Sequence, residues 1–285
     1  MKRVLLNIFA IGCIVVGMGG MLFFGMDKIF KSQLPSYQHS IEIGADLKRI
    51  EIMANEGAVD VTWKLDGQNK IELSGQAPEE TIKKITHTSV QNQTLELNYK
   101  HNDDLQWIRL MNLGTYDRKH SIVIHASKEF ILEQMNGKVS AGTFTMQGGK
   151  INDLTVKSEL GSVIVKEVQG QQATLSSDAG KVVADNVDAK LDASSAFGTI
   201  DLIDTTQPVT VKADAGSIFM EQKLPHSAKV SSNFGSIEII VSPQYEGSYI
   251  ASSNFGSVEV PLSKGKSDQV IQVRADAGSI NIVEK

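Results

Sequence analysis

Through the second half of this chain a glycine returns every 18 to 24 residues, at Gly137, Gly161, Gly180, Gly198, Gly216, Gly235, Gly256 and Gly278, and its surroundings repeat with it. Two residues after each stands a β-branched aliphatic: Val139, Val163, Val182, Ile200, Ile218, Ile237, Val258 and Ile280. The position four after is also apolar throughout, from Ala141 to Ile282, and so are the positions five and seven before, from Leu132 and Phe130 to Val273 and Ile271. Apolar residues at period two mark strands with one buried face. The inward positions fall at odd offsets before the glycine and at even offsets after it, so the pleat changes phase there and the glycine turns a corner. A unit with two short strands and no helical periodicity cannot enclose its own apolar side; only stacking on its neighbours buries it. The expectation is an all-β fold, a parallel β-solenoid whose coils are each 18–24 residues long.

The columns beside the glycine fit close stacking. Immediately before it large and small residues share the corner (Leu160, Ala179, Phe197, Ala215, Phe234, Phe255, Ala277), and immediately after it stand polar residues such as Ser162, Lys181, Thr199 and Ser217. Two before lie Glu159, Asp178, Ala196, Asp214, Asn233, Asn254 and Asp276. That stack could hold a cation, but a ladder of Asx turns needs one such residue per corner and tolerates Ala196. Calcium-binding rolls use shorter nonapeptide repeats.

The same pattern surrounds Gly57, with Ile50, Ile52, Ala54, Val59 and Val61 in the inward positions and Glu56 breaking the corner column. Between it and the regular repeats the sequence predicts a strand at Ile71–Ser74, a short helix at Pro78–Ile85, and strands near Leu95–Tyr99 and Ser121–His125. The solenoid domain is therefore expected over residues 41–285, irregular over 41–128 and regular over 129–285, with residues 27–40 as a tether.

Ahead of the tether, the run from Val4 to Met26 is apolar apart from Asn7. As a helix it reaches roughly 34 Å, enough for the ~30 Å hydrocarbon layer. Residues 1–26 are expected as a transmembrane anchor, with residues 4–26 in the bilayer. Lys2 and Arg3 precede the run, while Asp27 partly offsets Lys28 and Lys31 after it. The charge bias places the N-terminus in the cytoplasm and the domain outside, a single-pass protein of the cell membrane. Cleavage would want a small-residue site that "MLFFGM" lacks. Ala10-Ile11-Gly12-Cys13 loosely resembles a lipobox, but apolar residues continue well past Cys13, the chain's one cysteine, which leaves no disulfide and no cysteine metal site.

Catalytic patterns are missing: no H-E-x-x-H, C-x-x-C, G-x-S-x-G or phosphate-binding loop occurs, so no catalytic residue, cofactor or metal is assigned. His120 and His125 lie on opposite faces of one strand and read as surface residues. The net charge of −5, spread without basic blocks, gives no footprint for nucleic acid. Glu238 and Glu259 face outward three after their glycines. Counted along the sequence they lie one coil apart, near 5 Å, the separation of a retaining glycosidase pair. The segment Leu105–Tyr116, with Trp107 and Leu110, falls outside the repeat and reads as a cap or as an apolar interaction surface.

The tandem strings "SSDAGKVV", "SSAFGTID", "ADAGSIFM", "SSNFGSIEI", "SSNFGSVEV" and "ADAGSINI" resemble the bacterial "putative adhesin" domain of unknown function, and an N-terminal anchor ahead of it is similar to LiaG-like envelope proteins encoded with an envelope-stress response. The resemblance covers roughly residues 40–285. It implies a β-solenoid at the cell envelope and carries over no catalytic residues. The resulting expectation is a non-enzymatic binding or scaffolding protein. Its partners would be the bilayer, another membrane or envelope protein, a second copy at the C-terminal edge, or cell-wall polymer. The alternatives are a carbohydrate-active β-helix enzyme using the outward acids, and a stress sensor signalling through its single helix.

Overall fold

The computed structural model describes residues 34–44, 46–101 and 118–285. The expected anchor at 4–26, and Trp107 and Leu110, lie outside them. Ser36–His101 and Asp117–Lys285 form one compact unit. In chain order its elements are β1 (Ser36–Glu42), β2 (Arg49–Lys64), β3 (Lys70–Gln76), α1 (Glu79–Thr86), β4 (Thr94–Asn98), β5 (Lys119–His125), β6 (Leu132–Gln147) and β7 (Ile151–Leu160). There follow β8 (Val163–Lys166), β9 (Gln169–Ala179), β10 (Val182–Asp185), β11 (Asp188–Phe197), β12 (Ile200–Thr205), β13 (Val209–Ala215) and β14 (Ile218–Gln222). The last are β15 (Ala228–Phe234), β16 (Ile237–Val241), β17 (Ser248–Phe255), β18 (Val258–Glu259), β19 (Val270–Ala277) and β20 (Ile280–Glu284).

The strands before the corner stack in parallel as β4, β2, β6, β7, β9, β11, β13 and β15, and those after it as β5, β2, β6, β8, β10, β12, β14 and β16. The predicted inward columns form the core: Ile50, Val156, Leu175, Val211, Val163, Ile200, Ile218 and Ile237 are all at most 1% exposed. Antiparallel pairing occurs where β3 lies between β1 and β5. Tyr37 and Ile41 of β1 are buried, so residues 36–40, expected as tether, belong to the sheet. The helix comes where Pro78 predicts it; α1 packs on β4 and β1 and buries Thr81 and Ile85 at that end.

Two features of the repeat differ from the reading along the sequence. The first corner of the regular coils is Gly142, not Gly137: Gly142 pairs with Gly57, and Ala141 with Leu160, the residue before the next corner glycine. Gly137 is inward-facing, and a Cβ there would meet the Phe144 ring at 2.5 Å, so its missing side chain makes room for a large one from across the core. The second difference is the order of the last coils. β19 and β20 do not close the stack; β19 sits between β15 and β17, and β20 between β16 and β18. The chain passes one empty position after β16, lays down β17 and β18, and returns to fill the gap. Buried Tyr245 braces this crossing, its hydroxyl 3.0 and 3.1 Å from the Ser248 and Gln269 carbonyl oxygens. The open edge at this end therefore belongs to β17 and β18, where the sequence order had placed β19 and β20.

At each corner glycine rests on glycine. The φ angles run from +141° to +157° from Gly142 to Gly278, and a Cβ on Gly198 would lie 1.9 Å from the Gly180 carbonyl oxygen. Three residues before the corner, serines donate to the glycine carbonyl of the adjoining coil: buried Ser158 to Gly142 at 3.1 Å, buried Ser177 to Gly161 at 2.8 Å and half-buried Ser253 to Gly278 at 2.9 Å. A corner carbonyl thereby gains a partner. Ser253 bonds to Gly278, its neighbour in space, rather than to Gly235, its predecessor in sequence.

Candidate binding surface

The sequence-predicted residues divide. Glu238 and Glu259 are exposed, but the displaced coil puts Asn281 between them, since Glu238 and Glu259 each pair with it. They are two coils apart, roughly 9.5 Å. The close carboxylate pair expected from sequence spacing does not form. His120 and His125 lie on opposite faces of β5, as read, but neither is a surface residue: they are 2% and 5% exposed. His120 turns inward, stacked on Tyr99 at a centroid distance of 4.1 Å, with its Nδ1 3.0 Å from the Tyr37 hydroxyl. Burial, with the charges of Arg118 and His101 nearby, pushes its pKa down to about 4. His125 is covered by Asp66, 2.6 Å from its Nδ1, and by Glu72. The strand's period gives the facing of both residues; the covering Asp66 and Glu72 come from neighbouring segments.

The acidic corner column is a ladder. Lys138 binds Glu159 at 2.8 Å and Lys157 binds Asp178 at 3.0 Å; Asn233 donates to Asp214 at 3.1 Å and Asn254 to Asp276 at 3.2 Å. Among the described residues no group of three or more His, Cys, Asp or Glu is placed to hold a metal ion. A polar cleft of about 430 Å³ beside α1 is lined by Arg49, Glu51, His87, Gln91, Asn92 and Glu96.

Among the described residues, exposed apolar side chains gather in two places, apart from scattered ones such as Leu65, Ile131 and Leu224. One is the open end, where among the described residues no further coil covers the inward positions of the outermost one: Val258 is 39% and Val260 43% exposed, with Ile250 at 56% and Leu262 at 92% beside them. The other is the corner itself, where Leu160, Phe197, Phe234 and Phe255 are 63%, 67%, 65% and 80% exposed. Here the threading of the last coils matters. Taken in space, the residues before the glycines run Ala141, Leu160, Ala179, Phe197, Ala215, Phe234, Ala277, Phe255. Small and large alternate without exception, an order hidden in the sequence because Phe255 follows Phe234 there.

The repeat also identifies the chain. The family model described as Toastrack DUF4097 matches residues 47–283, nearly the whole solenoid. The chain belongs to the Toastrack DUF4097 family. Solved structures similar to this Toastrack domain include a "putative adhesin" from Bacteroides fragilis, with 13% identity over 87% of this chain and 97% of that one and a TM-score of 0.47. A "putative lipid binding protein" from Parabacteroides distasonis is 18% identical over 87% and 96%, with a TM-score of 0.46. A "putative adhesin" from Parabacteroides merdae is 15% identical over 89% and 97%, with a TM-score of 0.32. No curated protein matches the chain.

Proposed function

We propose that this Toastrack protein is a non-enzymatic binding or scaffolding component of the cell envelope, held in the membrane by residues 4–26 with its N-terminus cytoplasmic and its solenoid outside. Its resemblance to LiaG-like proteins supports a part in envelope stress. The apolar run of residues 4–26 supports the anchor. The observation that carries the binding role is the open end, where the β17 and β18 edges and the apolar positions Ile250, Val258, Val260 and Leu262 stand uncovered. Natural sheets usually blunt such edges, so an uncovered one offers backbone groups and apolar area to an envelope partner or to a second copy.

Two measurements test this in intact cells. Protease added outside should digest the solenoid of the full-length protein, and deletion of residues 4–26 should release it from the membrane fraction. A photo-crosslinking residue in place of Leu262 should yield a discrete adduct, whereas the same residue at Thr174, within the middle coils, should not. Protection from external protease would sink the topology; equal or absent adducts at both positions would sink the binding role of this end.

A further inference from the structure

The corner ridge carries a more specific reading, which rests on the proposal that this is a binding protein but not on its open end. We infer that Leu160, Phe197, Phe234 and Phe255 form a track for a linear β-1,4-linked polysaccharide. They stand in single file, one on every second coil, roughly 9.5 Å apart, with Ala179, Ala215 and Ala277 between them. In an extended β-1,4 chain each sugar is flipped relative to the last, so every second ring presents the same face, and one disaccharide is close to two coils long. An aromatic side chain offers the apolar C–H face of such a ring a flat contact area.

The flanks supply what the rims of the rings need. On one side lie Asp214, Asn233, Asp276 and Asn254, with Asn233 bonded to Asp214 and Asn254 to Asp276, leaving carboxylate lone pairs to accept from sugar hydroxyls. On the other lie the hydroxyls of Thr199, Ser217, Ser236, Ser279 and Ser257, the last donating to Ser279 at 3.1 Å. Around Phe234 and Phe255 the acids Asp214 and Asp276 are offset by Lys212 and Arg274, two residues earlier on the same strands, with Arg274 3.4 Å from Asp276. These balanced charges, set among amides and hydroxyls, form no basic stripe for a phosphate-rich polymer, nucleic acid or anionic lipid surface, and suit a chain of neutral hydroxyls.

A second copy fits less well. A two-fold axis along the ridge puts large residues against large; one across it interleaves large with small but sets the two acidic columns face to face. The four exposed side chains offer on the order of 500 Å² of apolar surface, below the ~800 Å² per partner of a standard protein interface.

The test uses the full-length protein in detergent, sedimented with chitin and with purified peptidoglycan sacculi, and with a β-1,3-glucan as the mismatched repeat. Binding to the β-1,4 polymers and not to the β-1,3-glucan is expected. Phe197→Ala, Phe234→Ala and Phe255→Ala should each weaken it several-fold without changing the melting temperature, and the triple variant should abolish it. Ala215→Phe adds aromatic surface but breaks the two-coil period, so it should weaken binding; tighter binding would mean a merely greasy stripe and overturn the track. Undiminished binding by the triple variant would also overturn it while leaving a polymer-binding protein, whereas failure to bind any polymer together with no crosslink at Leu262 would remove both readings. Loss of a dimer, or of binding to anionic vesicles, in the triple variant would overturn the track in favour of those partners.

Discussion

At Gly198 two independent constraints meet: φ is +150°, and a Cβ would approach the Gly180 carbonyl oxygen to 1.9 Å. At Gly67 φ is +73°, but nothing lies within 4 Å of the added atom. Gly198→Ala should therefore cost about 3 kcal/mol or more, because neighbouring coils must separate, while Gly67→Ala should cost about 1 kcal/mol, the backbone preference alone. Urea unfolding of both variants measures the difference, and equal costs would mean that the corner does not depend on close stacking. His120 gives a pH dependence with a definite sign. Its pKa is depressed to about 4 in the folded protein, below its value of 6.5 in an open chain, so the unfolded form takes up the proton first. Stability is at its full value above about pH 6.5, falls as the pH drops through this window, and levels off below about 4, a loss of about 3 kcal/mol. Melting curves at stepped pH should show a shallower fall for His120→Gln than for the natural chain. The sequence carries the facing of His120 through its period of two, yet not its burial, which depends on Tyr37 and Tyr99 arriving from distant segments.

For single elements, regular alternation made strands legible and ambiguity of phase made corners less so. Val139, Leu132 and Phe130 are apolar at offsets that suit Gly137 as a corner, so pattern alone could not prefer Gly142; the pairing of Gly142 with Gly57 decides it, and Gly137 makes room for Phe144. The short helix was readable because Pro78 and the acidic Glu79 and Glu80 mark its start. What no local pattern carries is which strand a given strand lies beside. β19 and β20 have the same columns as every other pair, so their insertion inside β17 and β18 is invisible until the coils are stacked. This order makes a prediction opposite to the one that sequence position suggests. Ile280 of β20 is 1% exposed, so Ile280→Asp should destabilise by about 4 kcal/mol. Val258 of β18 is 39% exposed, and Val258→Asp should cost under about 1 kcal/mol. If the costs came out reversed, the order of the last two coils would be wrong.

Over the whole molecule, the solenoid class, the inward columns around Gly57 and the family resemblance all come from a repeat long enough to outvote its exceptions. The ridge was only half legible: Phe197, Phe234 and Phe255 stand in its column in the sequence, but their two-coil rhythm depends on the placement of Ala277 between the last two. The same threading bears on how such a domain can be completed. Segments emerging from a ribosome or an export channel can add coil upon coil as far as β16, but the stretch 248–259 finds no resting place there until residues 270–284 have followed. The final assembly is thus an insertion and not an accretion, and a product clipped ahead of Val270 would leave β15 and β16 bare and its outermost segment unattached. Proteases that remove dangling chains would sort such incomplete copies from finished ones.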